Sequence, residues 1–165
     1  MSIDGAEILN GKGIINRCPG YEPRYLARVH VTAIQRIVNP MLQARFSRWC
    51  TKHKAKTAKA PERFHGTDSK AAHSIAKEGF DLNKGNGAVW VATRADYSVN
   101  FSLYRNRDSL LESTDYPTGL TMLLVRVWTG NPKQDFAKNV DQTIQVANVA
   151  QTWPTHLIHF DLVPV

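Results

Sequence analysis

The strongest strand signal in the chain is the stretch Thr121–Trp128, which has the sequence TMLLVRVW. A short apolar run rich in β-branched residues is typical of a strand buried in a sheet. Further strands are predicted at Val29–Val31, Ala88–Ala92 (AVWVA), Thr143–Ala150 and His156–Val163. Because these strands do not alternate steadily with helices, we predict an α+β fold with a largely antiparallel core sheet and a few flanking helices.

Helix start signals lie near the beginning of the chain. Thr32 is a candidate cap for a helix that runs to Asn39, and Asn39-Pro40 places a second cap before a proline suited to the first helical position. Both helices are expected to face the core through apolar residues at helical spacing, which are Ile34, Ile37, Val38, Met41, Leu42 and Trp49.

Two more helices are predicted in the middle of the chain. Asp68 or Ser69 is expected to cap the first, which ends at Gly79 in a left-handed conformation. The second is predicted over Asp96–Leu103, and the polar segment Arg105–Gly119 is predicted to be a surface loop.

The length of 165 residues suits one domain, which we place at residues 28–165 after an irregular lead-in over residues 1–27. The N-terminus has no basic segment followed by an apolar one, and no apolar run approaches the roughly 20 residues that cross a bilayer. Cys18 and Cys50 are too few for a disulfide framework and are interpreted as free thiols. We therefore expect an intracellular protein, cytoplasmic or nuclear, without membrane contact; the oligomeric state is left open, with a monomer as the default.

The net charge of +7 favours acidic partners such as nucleic acid or a phosphorylated ligand. Much of the excess lies in Arg45, Arg48, Lys52, Lys54, Lys56 and Lys59. One interpretation is a solvated helix end followed by a polar linker over Lys52–Pro61, and the other is a nucleic-acid or nuclear-import patch. Charge alone does not choose between them.

Several short segments occur in a recognisable order: Thr32–Asn39 (TAIQRIVN), His65-Gly66-Thr67, Gly79-Phe80, Ala95–Phe101 (ADYSVNF), Met122–Gly130 (MLLVRVWTG) and Gln151–Ile158 (QTWPTHLI). Together they resemble the catalytic domain of the poly(ADP-ribose) polymerase family, particularly its mono-ADP-ribosylating, macrodomain-associated branch. The resemblance covers residues 28–163, nearly the whole chain. It implies an ADP-ribosyltransferase-like split antiparallel sheet, NAD+ as the substrate and no metal.

The resemblance also implies roles for individual residues. His65 would bind the adenosine-side ribose, and Thr67 would make a neighbouring ribose contact. Gly66 would exchange hydrogen bonds with the nicotinamide carboxamide, which a glycine backbone can approach closely. Ser98 would bind the same carboxamide, and Phe101 would stack beneath the ring in place of the family's tyrosine.

The chain departs from the family pattern at three places. Trp90 stands where the family has a tyrosine beside the nicotinamide, with Val89 as the competing alignment. Thr143 stands where polymerising relatives carry a glutamate, and a threonine hydroxyl cannot act as a general base near neutral pH. The loop between Phe80 and Gly85 is shorter than in relatives, so the cleft is expected to be more open, with Lys84 as a compensating charge.

These features lead to two main hypotheses. The first is an NAD+-dependent mono-ADP-ribosyltransferase, with His65, Trp90 and Thr143 at the catalytic positions and a protein or nucleic-acid acceptor. The alternative is a catalytically degenerate domain that binds a partner without turnover. RNA 2'-phosphotransfer is a weaker third idea, because it expects more basic phosphate-binding residues than the sequence places around the cleft.

Overall fold

The computed structural model describes residues 27–53, 60–106, 116–129, 137–140 and 143–164. The strands are β1 (Ala27–Arg36), β2 (Glu62–Thr67), β3 (Val89–Ala92), β4 (Leu120–Val127), β5 (Ala137–Val140), β6 (Thr143–Val146) and β7 (Thr152–Pro164). The α-helices are α1 (Pro40–Lys52), α2 (Ser69–Glu78) and α3 (Ala95–Arg105). Short 3₁₀ turns occupy Leu82–Lys84 and Val149–Gln151.

The seven strands form one sheet in the order β1-β7-β4-β2-β3-β6-β5, and every pair of neighbours is antiparallel. The predicted α+β fold with an antiparallel core and flanking helices is confirmed. Neighbours β2 and β3 register at a single pair, Phe64 with Ala92. Beyond that pair the two strands separate, and the sheet divides into a half built on β4 and a half built on β6.

Strand β4 is the centre of the core because both of its faces are buried. Leu120, Met122 and Leu124 pack in one cluster with Val99 and Leu103 of α3. The intervening side chains of β4 pack in a second cluster with Ala72 of α2, and these are Leu123, Val125 and Val127. Helices α3 and α2 therefore cover opposite faces of the sheet, which explains the continuous apolar run in the sequence.

Helix α1 begins as predicted at Asn39-Pro40, and its cap also joins it to α2. The Asn39 side-chain oxygen accepts a hydrogen bond from the Leu42 amide at 3.1 Å. Its amide nitrogen donates to the carbonyl oxygens of Ala76 at 3.1 Å and Lys77 at 2.8 Å, in the last turn of α2. One side chain thus satisfies unpaired backbone groups at the ends of two helices.

The prediction of a helix over Thr32–Asn39 is wrong, because β1 continues through this segment to Arg36. Helix signals here are local, whereas pairing with the long strand β7 supplies a ladder from Ala27 to Arg36. The ladder satisfies backbone groups that an isolated helix of about two turns would leave unpaired.

The apolar residues assigned to the first helix pair do not share a buried face, which corrects a second prediction. Ile34, Val38 and Met41 are exposed, at 39%, 80% and 67%, while Leu42 is buried. Ile34 lies in a strand and Val38 in a loop, so their helical spacing in the sequence does not put their side chains on one face.

Several predicted boundaries shift in the structure. Helix α3 extends past Leu103 to Arg105, and strand β6 ends at Val146 rather than Ala150. Asp68 caps α2, because its carboxylate accepts from the Ala71 amide at 2.7 Å. Gly79 ends that helix with a φ of 87°, which glycine adopts readily.

Some predictions lie outside the described residues. They concern the lead-in over residues 1–26, Cys18, the lysines at 54, 56 and 59, and residues 107–115 of the predicted loop. Cys50 is a free, buried thiol. No helix in the described ranges is both long and apolar enough to span a bilayer.

Candidate functional site

A cleft of about 770 Å³ follows the line along which β2 and β3 separate. Its lining includes every residue that the sequence assigned to the site, namely His65, Gly66, Thr67, Trp90, Ser98, Phe101 and Thr143. These residues come from β3 and β6 on one side of the split, from β2 on the other side, and from helix α3. The volume falls within the range of roughly 300–1,000 Å³ that small-molecule sites occupy.

Gly66 brings β2 against α3. A Cβ atom at this position would overlap the backbone carbonyl of Ser98 and would lie 2.9 Å from the Cβ of Phe101. The missing side chain is therefore required by the approach of the helix, whatever ligand the cleft takes. The close approach sets the backbone of β2 at Gly66 beside Ser98 and Phe101 of α3.

Helix α3 presents a stripe of residues to the cleft. Ser98, Phe101 and Arg105 all line it, and their spacing of three and then four residues puts them on one helical face. Phe101 is 37% exposed and is not a core residue, whereas Ser98 is buried at 1%. Ser102 fixes the helix to the sheet by donating a hydrogen bond to the Thr121 carbonyl at 2.7 Å.

The imidazole of His65 is oriented by a hydrogen bond across the split. Its Nδ1 lies 2.7 Å from the carbonyl oxygen of Trp90 across the split. Because a carbonyl only accepts, Nδ1 carries the hydrogen and Nε2 is left as the acceptor. Burial lowers the pKa of His65, the hydrogen bond to Trp90 raises it, and the positive charge of Arg105 lowers it further. A neutral histidine with Nε2 free to accept suits a hydroxyl ligand.

Trp90 forms part of the cleft wall, and its indole is 40% exposed. Val89 and Val91, on either side of it, are buried in the cluster beneath α2. Because successive side chains of a strand alternate, Trp90 points to the face covered by α3, together with Phe101. Val89 also lines the cleft, and the choice between the two alignments stays a prediction.

Thr143 and Thr67 lie on opposite faces of the split. Thr143 pairs with Ala92 and is 6% exposed on the α3 side, since its neighbour Ile144 packs in the cluster under α2. Thr67 pairs with Thr121 and is 5% exposed on the α2 side, where His65 also points. The cleft is thus lined from both faces of the sheet.

Among the residues that the structure describes, the charged groups lining the cleft are two carboxylates and two cations. Both carboxylates are engaged by backbone amides: Asp68 accepts from Ala71, and Asp81 accepts from Asn83 at 3.0 Å. The cations are Lys84 on the short turn after α2 and Arg105 on α3. Neither of these two carboxylates belongs to β6, the strand that carries Thr143.

Among the cleft residues that sequence reasoning missed are Arg105, Tyr97 and Phe80. Arg105 was assigned to the start of a loop, although its spacing from Ser98 and Phe101 could have revealed it. Tyr97 lies with its ring 5.3 Å from that of Phe101, and Phe80 meets the His65 ring edge-on at 5.0 Å. The contact between Phe80 and His65 joins segments that no local pattern relates.

The basic segment at the end of α1 is only partly a solvated surface. Arg45 packs under the end of α2 beside Gly79, and burial lowers the pKa of its guanidinium. Arg48 and Lys52 are exposed. Both interpretations of the segment remain open for these two residues.

Nowhere in the described ranges do three histidine, cysteine, aspartate or glutamate side chains gather in a way that would hold a metal ion. A comparison of the chain with models of protein families finds no match. A comparison with curated proteins finds no relative.

Proposed function

We propose that this chain is an NAD+-dependent mono-ADP-ribosyltransferase. The observation that carries the proposal is the convergence of the seven residues, taken from separate segments of the sequence, on one cleft. A coincidental motif would have no reason to bring His65 of β2, Trp90 of β3 and Phe101 of α3 to the same place.

The chemistry follows from the groups in the cleft. The bond between the ribose anomeric carbon and the nicotinamide nitrogen breaks, its electron pair leaves with nicotinamide, and the acceptor nucleophile bonds to the carbon and loses its proton. Trp90 and Phe101 are exposed aromatic rings on the same side of the split, which suits a flat ring between them. Ser98 and the backbone of Gly66 would hold the carboxamide, and Nε2 of His65 would accept a ribose hydroxyl.

Thr143 limits the reaction to single transfers. A carboxylate near the ribose would stabilise the positive charge of the oxocarbenium-like transition state. Thr143 can hydrogen-bond to a ribose hydroxyl but cannot take a proton from an acceptor near neutral pH. We therefore expect adducts of one ADP-ribose unit and no polymer.

The proposal is tested by incubating the protein with labelled NAD+ and candidate protein and nucleic-acid acceptors. Single-unit adducts and stoichiometric nicotinamide release are expected, resolved by gel and by intact mass spectrometry. The proposal fails if neither label transfer nor nicotinamide release exceeds that of a heat-denatured sample.

A second candidate is a domain that binds without turnover. It is favoured by the engagement of both cleft carboxylates, Asp68 and Asp81, as helix caps, which leaves them poorly placed for catalysis. Calorimetry with NAD+ and the assay of nicotinamide release together separate the candidates. Binding of NAD+ without nicotinamide release supports the second candidate, and nicotinamide release supports the first.

A further inference from the structure

Arg105 is the cation of the cleft that is held on a rigid element. It ends α3 on the stripe of Ser98 and Phe101, and that helix is tied to β4 through Ser102. Lys84 also lines the cleft, but it stands on a single 3₁₀ turn. A side chain on an anchored helix presents its charge in a better defined position than one on a short turn.

The guanidinium of Arg105 is available for a ligand. It is exposed, and it pairs with no carboxylate in the part of the chain that the structure describes. Its charge acts on His65, which also lines the cleft. By contrast, Arg94 at the start of the same helix is already paired with Asp96, with Nε donating to the carboxylate at 3.1 Å.

We infer that Arg105 binds the diphosphate of the dinucleotide, an inference that rests on the proposed function. Phe101 would contact the nicotinamide end on the α3 side and His65 the adenosine-side ribose on the α2 side, so the diphosphate that joins them would cross the cleft between these residues, within reach of the charge of Arg105 that acts on His65. A guanidinium presents paired donors that match two phosphate oxygens, which a lysine cannot do. Arg105 would thereby supply the grip lost with the shortened loop between Phe80 and Gly85.

The test is calorimetry on the full chain and its variants with NAD+, ADP-ribose, benzamide and inorganic pyrophosphate. Arg105→Ala is expected to weaken binding of NAD+ and ADP-ribose by about 10- to 100-fold, the loss typical of a charge-assisted hydrogen bond. Benzamide carries the carboxamide but no phosphate, so its affinity is expected to stay within about twofold. Arg105→Lys should give an intermediate loss, and Arg94→Ala is the matched control.

Each other outcome has a definite meaning. Unchanged NAD+ and ADP-ribose affinity in Arg105→Ala overturns the inference. A loss of that affinity in Lys84→Ala but not in Arg105→Ala also overturns it. An equal loss of benzamide binding would show that Arg105 only supports the helix. If the wild-type protein binds neither NAD+ nor benzamide, the proposed function fails; the inference then survives only if ADP-ribose or pyrophosphate binds the wild-type protein and not Arg105→Ala.

Discussion

The side chain of His65 shows how a single residue joins the two halves of the split sheet. Its Nδ1 is bonded to the Trp90 carbonyl across the separation, and its ring meets Phe80 edge-on. The same contacts fix the tautomer and aim Nε2 away from Trp90. A residue that the sequence singled out for ligand binding therefore also bridges β2 and β3 through a hydrogen bond.

Replacing His65 by alanine tests the ligand-binding role. We expect His65→Ala to reduce NAD+ affinity at least about tenfold, because one hydrogen bond to the ligand is lost, with the fold retained. Calorimetry measures the affinity and circular dichroism the fold. His73→Ala, at an exposed histidine of α2 outside the cleft lining, is the control. Global unfolding of His65→Ala would instead assign this histidine a structural role.

The same variant has a signature in the pH dependence of stability. Burial lowers the folded-state pKa of His65, so the unfolded chain binds the proton more readily. The free energy of unfolding is therefore expected to fall as pH drops below about 6.5. His156, whose pKa is also lowered by burial, contributes with the same sign. Urea titrations between pH 7.5 and 5 should show a smaller fall in His65→Ala than in the wild-type protein.

Thr143 is the residue at which added charge should raise activity. Thr143→Glu places a carboxylate in the cleft lining, where it can stabilise the transition state, and we expect turnover to rise on the order of 10- to 100-fold. The site is buried, so some loss of stability is expected as well. Nicotinamide release is the measurement. Thr143→Gln, of similar size without charge, should give no increase; an equal rate in both variants would contradict the assigned register.

At the scale of elements, the contact between β2 and α3 depends on the absence of a side chain at Gly66. Gly66→Ala is expected to lower the free energy of unfolding by about 1–3 kcal/mol, because the added carbon overlaps the Ser98 backbone. It should also weaken benzamide binding, since α3 moves away from the cleft. Chemical denaturation and calorimetry measure the two effects.

A glycine elsewhere provides the comparison for that variant. At Gly119, with a φ of 66°, an added Cβ meets no atom within 4 Å. Gly119→Ala should cost only the strain of its left-handed backbone, about 1 kcal/mol, and should leave benzamide binding intact. Equal binding losses in both variants would show that the Gly66 contact does not shape the cleft.

The ends of α1 and α2 are joined through Asn39. Asn39→Ala removes the cap of α1 and both hydrogen bonds to the last turn of α2, so we expect a loss of about 2 kcal/mol in the free energy of unfolding. Asn39→Ser keeps a capping oxygen, but its short side chain cannot reach both carbonyls of α2, so its loss of stability should be smaller than that of Asn39→Ala. If Ser and Ala destabilise equally, the capping bond contributes nothing measurable.

On the scale of the whole molecule, a ligand in the cleft would contact both halves of the split sheet. NAD+ at about 100 times its dissociation constant should stabilise the folded protein by about 2.7 kcal/mol. For a chain of this length that corresponds to a rise in Tm of about 5–10 °C. Differential scanning fluorimetry measures the shift, with a titration to show saturation. No shift at any concentration would argue that the cleft does not take the dinucleotide.

Local sequence signals determined the elements whose stability is local. The apolar run of β4, the cap at Asn39-Pro40 and the glycine after α2 are each set by neighbouring residues, and each was confirmed. Seven residues that line the cleft were also named from the sequence, through a resemblance that relates segments far apart in the chain. Their roles remain predictions.

Only the tertiary structure decided which face each residue occupies and which segments meet. The helix signal at Thr32–Asn39 was overridden because pairing of β1 with β7 satisfies more backbone groups than a helix of about two turns. Arg105 and Tyr97 became part of the cleft through the packing of α3 on β2, and Phe80 through its ring contact with His65. Such contacts join residues that are distant in sequence. The folding of the whole chain brings them together, and the pattern of either segment alone does not predict the contact.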